Sequence, residues 1–215
     1  MYQPPHFRED RLEIQHELIK AHPLGLMIST GEEGPLANAI PFLLDADASP
    51  KGTLRAHLAR ANPQWRALAA DGRALVVFQG ADSYVTPSWY ATKRETGKVV
   101  PTWNYAVVQT RGTARIIEDR EWLAHHVAQL TGHNEASRAE PWAVDDAPQT
   151  FIDAQLKGIV GIEIDIAAIE GKWKVSQNRP ENDRIGVADG LEADQSTAEA
   201  RAMAEMVRQR GGSAR

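Results

Sequence analysis

Runs of apolar residues, each about long enough for one β-strand, recur along most of the chain. Turn residues, not long helical patterns, separate most of these runs. Parallel strands need crossover connections of a dozen or more residues, usually a helix, and few of the connections offer one. The pattern therefore predicts a β-barrel with peripheral helices, an α+β fold that is mainly antiparallel, and argues against a doubly wound parallel sheet. The predicted strands are 24–30, 36–44, 53–59, 73–80, 83–92 and 102–117, followed by two strand-like stretches within 159–175.

Connection lengths and caps place the remaining elements. The first three strands are expected to form a meander, and 83–92 is expected to pair with 102–117 as a hairpin across a charged loop. Asn62 is the expected N-cap of the helix that follows the third strand, and Gly112 is the expected site of a bulge or bend in the long strand. Helices are predicted at 8–21, 62–72, 119–132, 149–158 and 197–209.

Composition limits the classes of function. The net charge of −5 does not indicate a broad basic face for nucleic acid. Cysteine is absent, which excludes disulfides, thiolate metal sites and a cysteine nucleophile. The N-terminal residues lack the apolar segment of a signal peptide and no run reaches membrane-spanning length, so a cytoplasmic protein without a membrane partner is expected. We expect one domain over 1–190, with a C-terminal helix and tail over 191–215 packed on it.

Four stretches combine aromatic and polar residues in a way that a packed core does not require. Within the strand at 102–105, Thr102 and Asn104 lie on one face and Trp103 and Tyr105 on the other. One face can therefore pack while the other presents a hydroxyl and an amide to a flat heterocycle. An aromatic hairpin buried in a core or a dimer interface would explain the same residues. The stretches are "HLARANPQW" (57–65), "SYVTPSWY" (83–90), "VPTWNY" (100–105) and "GKWKVSQNR" (171–179).

The turn at 57–62 leads from a strand into the start of a helix. A helix N-terminus offers unpaired amides and the positive end of a dipole, so Arg60 beside it is a candidate phosphate ligand. The alternative is that Asn62 only caps the helix and Arg60 is solvated, and spacing alone favours that alternative.

No pattern indicates a catalytic residue or a metal ligand. His126 and His133 could share a helix face only if their helix continued past Gly132, so surface or capping roles are expected for these histidines. No serine lies in a nucleophile elbow, and neither a glycine-rich dinucleotide fingerprint nor a phosphate-binding P-loop occurs.

The four stretches, in this order, resemble the PaiB family of FMN-binding negative transcriptional regulators. The resemblance runs from the opening "MYQPPHF" through "HLARANPQW", "YVTPSWY", "VPTWNY" and "KVSQNR" to the C-terminal helix. It implies a flavoprotein with the FMN-binding split-barrel fold that pyridoxamine-phosphate oxidases and flavin reductases share. It also implies a homodimer with two FMN sites at the subunit interface.

The resemblance also implies which residues contact FMN. In split barrels the phosphate is held at a strand–helix junction, which here corresponds to His57, Arg60 and Asn62. The isoalloxazine ring is flanked by an inner strand, here Asn38, Ile40 and Pro41, and by residues of the partner subunit. The candidates for these are Trp89, Tyr90, Thr102, Trp103, Asn104, Lys174, Gln177 and Asn178.

Two functions remain open from the sequence, besides a dimer with a vestigial pocket. The first is a negative transcriptional regulator in which FMN is a sensor or a structural ligand. DNA is then a partner, although no helix-turn-helix is evident and a solvated face explains the arginines of the C-terminal helix equally well. The second is an FMN-dependent oxidoreductase or flavin reductase, in which the protein orients the ring and tunes its electronics. The arginines concerned are Arg201, Arg208, Arg210 and Arg215.

Overall fold

The computed structural model describes residues 1–194 and 197–210. Their chain divides into two compact units. Unit 1 comprises 1–21, 79–109 and the residues from Glu170 to the described C-terminal end, and unit 2 comprises 22–78 and 110–169. Each unit is described by itself below. The predicted division at residue 190 stays a prediction, and the tail after Arg210 lies outside the described residues.

Eight strands form one sheet in the described chain, which confirms the predicted antiparallel α+β architecture. The order along the sheet is β3-β2-β6-β7-β8-β5-β4, and β1 pairs with β8. The unit boundaries fall within β6, β7 and β8. The strands are β1 (Arg8–Glu9), β2 (Leu24–Gly31), β3 (Gly34–Pro41), β4 (Leu43–Asp45), β5 (Thr53–Ala59), β6 (Arg73–Val85), β7 (Thr102–Ile117) and β8 (Ile159–Lys174).

Seven α-helices lie in the described residues, and the sequence predicted five of them to within a few residues. Helix α6 was missed, and α3 occupies part of the segment predicted as a charged loop. The helices are α1 (Leu12–Ala21), α2 (Gln64–Asp71), α3 (Ala91–Thr96), α4 (Arg120–Glu135), α5 (Gln149–Lys157), α6 (Glu181–Asp194) and α7 (Ala198–Arg210). No helix among these residues is both long and apolar enough to cross a membrane.

The meander predicted for the first three strands is confirmed, because the second of them divides into β3, which pairs with β2, and β4, which pairs with β5. Two other local predictions are wrong. The two strand-like stretches predicted within 159–175 form the single strand β8. The strand predicted at 83–92 ends at Val85 and is followed by a 3₁₀ turn at Pro87–Trp89. Pro87 has no N–H to donate to the ladder, and the Ser88 amide donates to Thr86 Oγ1 within the turn, which accounts for the early end of the strand.

Unit 2 is held by long β-pairing and an apolar interior. Strands β5 and β8 pair over seven residues from Thr53↔Asp165 to Ala59↔Ile159. The inward positions Leu54, Ala56 and Leu58 are almost fully buried, as the period of two requires. Gly112 lies here against the neighbouring backbone: a Cβ at this position would lie 2.2 Å from the carbonyl oxygen of Asp165. A close backbone approach therefore explains this glycine.

Helix α4 ends later than predicted. Asp119 is its N-cap, because its Oδ1 accepts a hydrogen bond of 2.8 Å from the amide of Trp122. The helix continues past Gly132 to Glu135. His126 and His133 therefore share one helix, but His126 is buried while His133 is exposed. Among the described residues, no cluster of acids and histidines could hold a metal ion.

In unit 1, helix α6 packs against Trp89. Two glycines one turn apart on α6 make room for the backbone and the ring of this residue. A Cβ at Gly186 would lie 2.1 Å from the Trp89 carbonyl oxygen, and one at Gly190 would lie 2.4 Å from the ring. The indole Nε1 donates a hydrogen bond of 3.0 Å to Asp194. These contacts fix the 86–90 segment against α6.

Candidate functional site

The predicted site residues divide between the two units. Those of unit 2 lie on β3 and on the turn from β5 into α2, and those of unit 1 lie around the start of β7 and the end of β8. The structure does not test their contact with a cofactor, so these roles stay predictions. The unit 2 group is Asn38, Ile40, Pro41, His57, Arg60 and Asn62, and the unit 1 group is Trp89, Tyr90, Thr102, Trp103, Asn104, Lys174, Gln177 and Asn178.

Arg60 is already engaged by several acceptors at the turn of unit 2. Its Nε donates to the Lys157 carbonyl at 3.1 Å and its NH2 to the Ile159 carbonyl at 3.2 Å. Its NH1 forms an ion pair with Glu118. Three of the five N–H donors of the guanidinium are thus in use. A phosphate at this turn would therefore share Arg60 with Glu118 or displace that carboxylate.

The polar residues around Arg60 form a network that starts α2. Asn62 Oδ1 accepts from the Gln64 amide at 2.9 Å, so it bonds to the first amide of α2, although Pro63 and not Asn62 is the N-cap residue of that helix. Gln64 is fully buried and donates to the Met27 carbonyl at 3.0 Å. It also accepts from Asn38 Nδ2 at 2.8 Å, so the predicted inner strand is tied to the helix start. A lone glutamine in a helix gave no signal of this role in the sequence.

Burial favours the uncharged form of the His57 imidazole. Its ring lies edge-on to His126 with centroids 5.4 Å apart, and Trp122 stacks on His126 at 5.1 Å. Burial lowers the pKa of His57, and burial together with the nearby charges of His57 and Arg55 lowers the pKa of His126 to about 4. At neutral pH, His57 can therefore offer a hydrogen bond to a phosphate but no full positive charge.

The start of β7 in unit 1 alternates as predicted, but the exposed face is the one that carries Trp103 and not the one that carries Asn104. Asn104 is buried and exchanges hydrogen bonds with Ser176 at 2.9 and 3.2 Å. Trp103, by contrast, is 54% exposed, and its ring meets Tyr84 edge-on with centroids 6.1 Å apart. The amide is on the inside because Ser176 satisfies it there. The aromatic face, and not the amide face, is therefore the one available to a ligand.

A cationic cluster, Lys172, Lys174 and Arg179, lies beside this aromatic face. Lys174 Nζ donates to the Thr102 hydroxyl and to the Trp103 carbonyl. Lys172 is only 8% exposed, and its Nζ lies 5.2 Å from the centroid of the Tyr105 ring. Burial first, and then the like charges of Lys172 and Arg179, lower the pKa of Lys174. In the part of the chain that the structure describes, no member of the cluster has a carboxylate partner.

A locked turn after β8 fixes the position of the cluster. Ser176 has a φ of +64°, which side-chain-bearing residues rarely adopt. Gln177 supports this turn on both sides, because its Oε1 accepts from the Val175 amide and its Nε2 donates to the Trp173 carbonyl. Asn178 is exposed at the end of the turn. The Gln177 side chain thus stabilises the backbone here.

The two aromatic residues at 89–90 are more deeply placed than the sequence suggested. Tyr90 is 1% exposed, and the Arg179 guanidinium lies 4.8 Å from its ring centroid. Burial raises the pKa of the Tyr90 phenol. Both Tyr90 and Trp89 therefore contribute to the interior of unit 1, with Tyr90 lying under one member of the cationic cluster.

The donors and surfaces of unit 1 fit a planar, anionic ligand. A groove of about 290 Å³ lies against the aromatic face and is lined by Gln79, Asp82, Trp103, Tyr105 and Val107. Two members of the cationic cluster, Lys172 and Lys174, place their ammonium groups 5.2 and 6.0 Å from the centroid of the Tyr105 ring. An isoalloxazine ring and a phosphate together have this combination of flat surface and negative charge. The chemistry of the residues present is therefore compatible with FMN.

Comparisons with known proteins agree with this chemistry. A family model described as "Putative FMN-binding domain" matches residues 1–168. The uncharacterized protein AN0679 of Emericella nidulans is 36% identical over 94% of this chain and 94% of that protein. The protease synthase and sporulation protein PAI 2 of Bacillus subtilis is 31% identical over 96% of each chain.

A solved structure shows a similar fold. The FAD and heme binding protein from Mycobacterium smegmatis superposes with a TM-score of 0.56 at 20% identity, over 77% of this chain and 71% of that one. At this identity the likeness concerns the fold alone. The fold is that of the FMN-binding split barrels, as predicted.

Proposed function

Because the chain belongs to the PaiB family of FMN-binding domains, its cofactor is FMN, and we propose that a homodimer of this chain holds FMN at its subunit interface. The family predicted from the motifs is thereby confirmed. FMN, when bound, supplies a ring that can accept and give up electrons. The residues of the chain bind that ring, orient it and set its electrostatic surroundings.

The observation that carries the proposal is the cationic cluster without carboxylate partners in unit 1. Like charges in a half-buried position destabilise one another, and the electron-rich carbonyl edge of an isoalloxazine ring, or the negative charge that the ring gains on reduction, offsets that cost. We assign the ring to the surroundings of Trp103, Thr102 and Lys174, and the other predicted unit 1 residues support this surface. Asn38, Ile40 and Pro41 are the proposed ring contacts of unit 2.

The phosphate is assigned to the turn of unit 2. Arg60 supplies a guanidinium there, the start of α2 supplies the positive end of the helix dipole, and His57 supplies a neutral imidazole. Glu118 competes with the phosphate for Arg60. Removal of Arg60 and removal of the Glu118 charge should therefore change the FMN affinity in opposite directions.

Exposed apolar side chains support the proposed homodimer. In unit 1, Trp103 is 54%, Val100 64% and Tyr84 42% exposed. In unit 2, Leu24 and Leu26 are 64% and 41% exposed on one face of β2. Large apolar side chains grouped on a surface are typical of interfaces. We expect a dimer interface of more than about 1,000 Å².

Light scattering tests the dimer directly. Trp103→Ala should shift the protein toward monomer and weaken FMN binding together, because both are assigned to the same surface. Trp142→Ala is the matched control, because this tryptophan is also exposed, at 47%, but lies outside the assigned surface. A Trp103→Ala variant that remains a dimer and binds FMN like the wild type would contradict the shared site.

For the use of the flavin we propose an oxidoreductase, and a negative transcriptional regulator as the second candidate. The structure offers little free positive charge on α7 for DNA: Arg208 pairs with Glu192 and Asp189, and Arg210 pairs with Glu9 at 2.7 Å. Arg215 lies outside the described residues. The open aromatic groove supports access of a small substrate to the ring. A cytoplasmic location is part of the same proposal.

Two assays separate these candidates. Stopped-flow reduction of the bound FMN by NADPH, followed by reoxidation with a panel of quinones and nitroaromatic acceptors, should show turnover for an oxidoreductase. Binding to promoter DNA fragments at increasing salt should show affinity and a salt slope for a regulator. Sequence-specific DNA binding that depends on FMN, with no turnover, would favour the second candidate.

A further inference from the structure

We propose that the cationic cluster of Lys172, Lys174 and Arg179 favours reduced, anionic FMN over oxidised FMN and so raises the reduction potential of the bound cofactor. The inference rests on the proposed function, because it requires FMN to be bound with its ring near the cluster. Control of the reduction potential is a role that the cluster would have in addition to binding FMN.

The charge of the cluster is unbalanced. Lys172 is 8% exposed and Lys174 is half-buried, so solvent screens their charges only in part. Arg179 adds a third positive charge above the Tyr90 ring. Within residues 1–194 and 197–210, none of the three forms an ion pair with a carboxylate. The cluster therefore stabilises a neighbouring group more when that group carries a negative charge than when it is neutral.

The surroundings of Lys174 favour the ring over the phosphate as the group that meets this charge. The ammonium donates to the Thr102 hydroxyl and to the Trp103 carbonyl, which leaves one of its three N–H donors for a ligand. Both lysines lie within 6.0 Å of the Tyr105 ring centroid, beside the exposed Trp103. A flat aromatic surface complements a flat ring, whereas a phosphate gains nothing from it.

The electron balance of the flavin explains why the cluster would discriminate. The oxidised ring is neutral, and uptake of two electrons and one proton leaves it with one negative charge near neutral pH. The phosphate carries the same charge in both forms. Only a cluster that lies near the ring can therefore bind the two forms with different affinity. Tighter binding of the reduced form raises the reduction potential by linkage.

The cluster is also held in place before a ligand binds. The Asn104–Ser176 hydrogen bonds and the two Gln177 hydrogen bonds fix the turn between Lys174 and Arg179. A preorganised charge stabilises a developing charge without the cost of reorganisation. This arrangement accounts for a serine held at a φ of +64° directly after the lysine strand.

The test compares binding of oxidised and dithionite-reduced FMN to the full-length protein. Lys174→Met removes the charge and keeps the length of the side chain. It should weaken binding of reduced FMN about tenfold more than binding of oxidised FMN, which corresponds to a reduction potential lower by about 30 mV. Lys174→Arg should keep most of the wild-type potential. Lys20→Met, on the exposed end of α1, is the matched control and should change neither value.

Riboflavin separates the ring from the phosphate. If the cluster lies near the ring, Lys174→Met lowers the potential of bound riboflavin as much as that of FMN. A loss of FMN affinity equal for both redox states, with riboflavin binding unchanged, would place the phosphate at the cluster and overturn the inference. Lys174→Gln provides the same comparison if the methionine variant does not fold. An unchanged potential in a folded, FMN-binding Lys174 variant would also overturn it, whereas wild-type protein that binds no FMN would instead overturn the proposed function.

Discussion

Opposite effects of Arg60→Ala and Glu118→Gln on FMN binding are expected from the geometry of the turn before α2. Arg60 is assigned to the phosphate, and a hydrogen bond to a charged group contributes about 1.5–3 kcal/mol. Arg60→Ala should therefore weaken FMN binding roughly ten- to a hundredfold. Glu118 holds the same guanidinium in an ion pair whose side chains are 39% and 56% exposed. Such a pair is worth about 0–1 kcal/mol. Its removal should strengthen FMN binding by at most about fivefold.

The two variants should differ in stability as well. Arg60 bonds to the carbonyls of Lys157 and Ile159 and so joins the end of β5 to the end of α5 and the start of β8. Arg60→Ala should therefore lower the free energy of unfolding by about 1–2 kcal/mol even without FMN. Glu118→Gln keeps these carbonyl contacts and should change it by less than about 1 kcal/mol.

FMN fluorescence quenching measures the affinities, and urea unfolding of the FMN-free protein measures the stabilities. Riboflavin is the control ligand, because it lacks the phosphate and should bind all three proteins equally. Equal FMN affinity of the wild type and Arg60→Ala would remove Arg60 from the site and leave Lys93, Arg94 or Lys98 as candidates. Weaker FMN binding by Glu118→Gln would show that the ion pair supports the site and does not compete with it.

Two further predictions concern stability. The pKa of His126 is lowered to about 4 from 6.5, so the folded protein holds this imidazole in its neutral form. The resulting stabilisation is complete above pH 6.5 and is lost as the pH falls toward 4. The free energy of unfolding should therefore decrease by about 2 kcal/mol between pH 7.5 and pH 5. His126→Phe should remove this part of the pH dependence in urea titrations, and an unchanged slope would contradict the assignment. Gly190→Ala should lower the free energy of unfolding by about 1–3 kcal/mol because its Cβ meets the Trp89 ring at 2.4 Å. At Gly132 a Cβ would meet nothing within 4 Å, so Gly132→Ala should instead stabilise helix α4 by about 0.5–1 kcal/mol. Similar changes in melting temperature for the Gly190→Ala and Gly132→Ala variants would refute the packing argument.

Local signals account for the elements that the sequence predicted well. The long alternation at 102–117 and the Asp119 cap each depend on neighbouring residues, so they could be read without the fold. Helix α6 escaped prediction because Gly186 and Gly190 lower helix propensity in its middle. Both glycines are needed because α6 packs closely against Trp89, which lies nearly a hundred positions earlier in the chain. No local sequence pattern reveals this contact.

The candidate site residues stay predictions, and the sequence did not reveal the contacts that their side chains make. Alternation separates Asn104 from Trp103 but does not tell which face is buried, since that depends on the distant Ser176. Arg60 appeared solvated or free for a phosphate, because its acceptors lie 97 and 99 residues away. The cationic cluster likewise depends on pairing that juxtaposes β8 with the aromatic strand. In each case a long-range contact decides the chemistry.

Titration of the purified protein with FMN, monitored by absorbance and by light scattering on the same samples, tests whether this chain is a dimer that binds FMN. We expect a saturable change in the flavin spectrum at micromolar protein, with one FMN per subunit. We also expect a mass of twice the 23.7 kDa of one chain. A monomer, or a protein whose addition leaves the FMN spectrum unchanged at these concentrations, would contradict it.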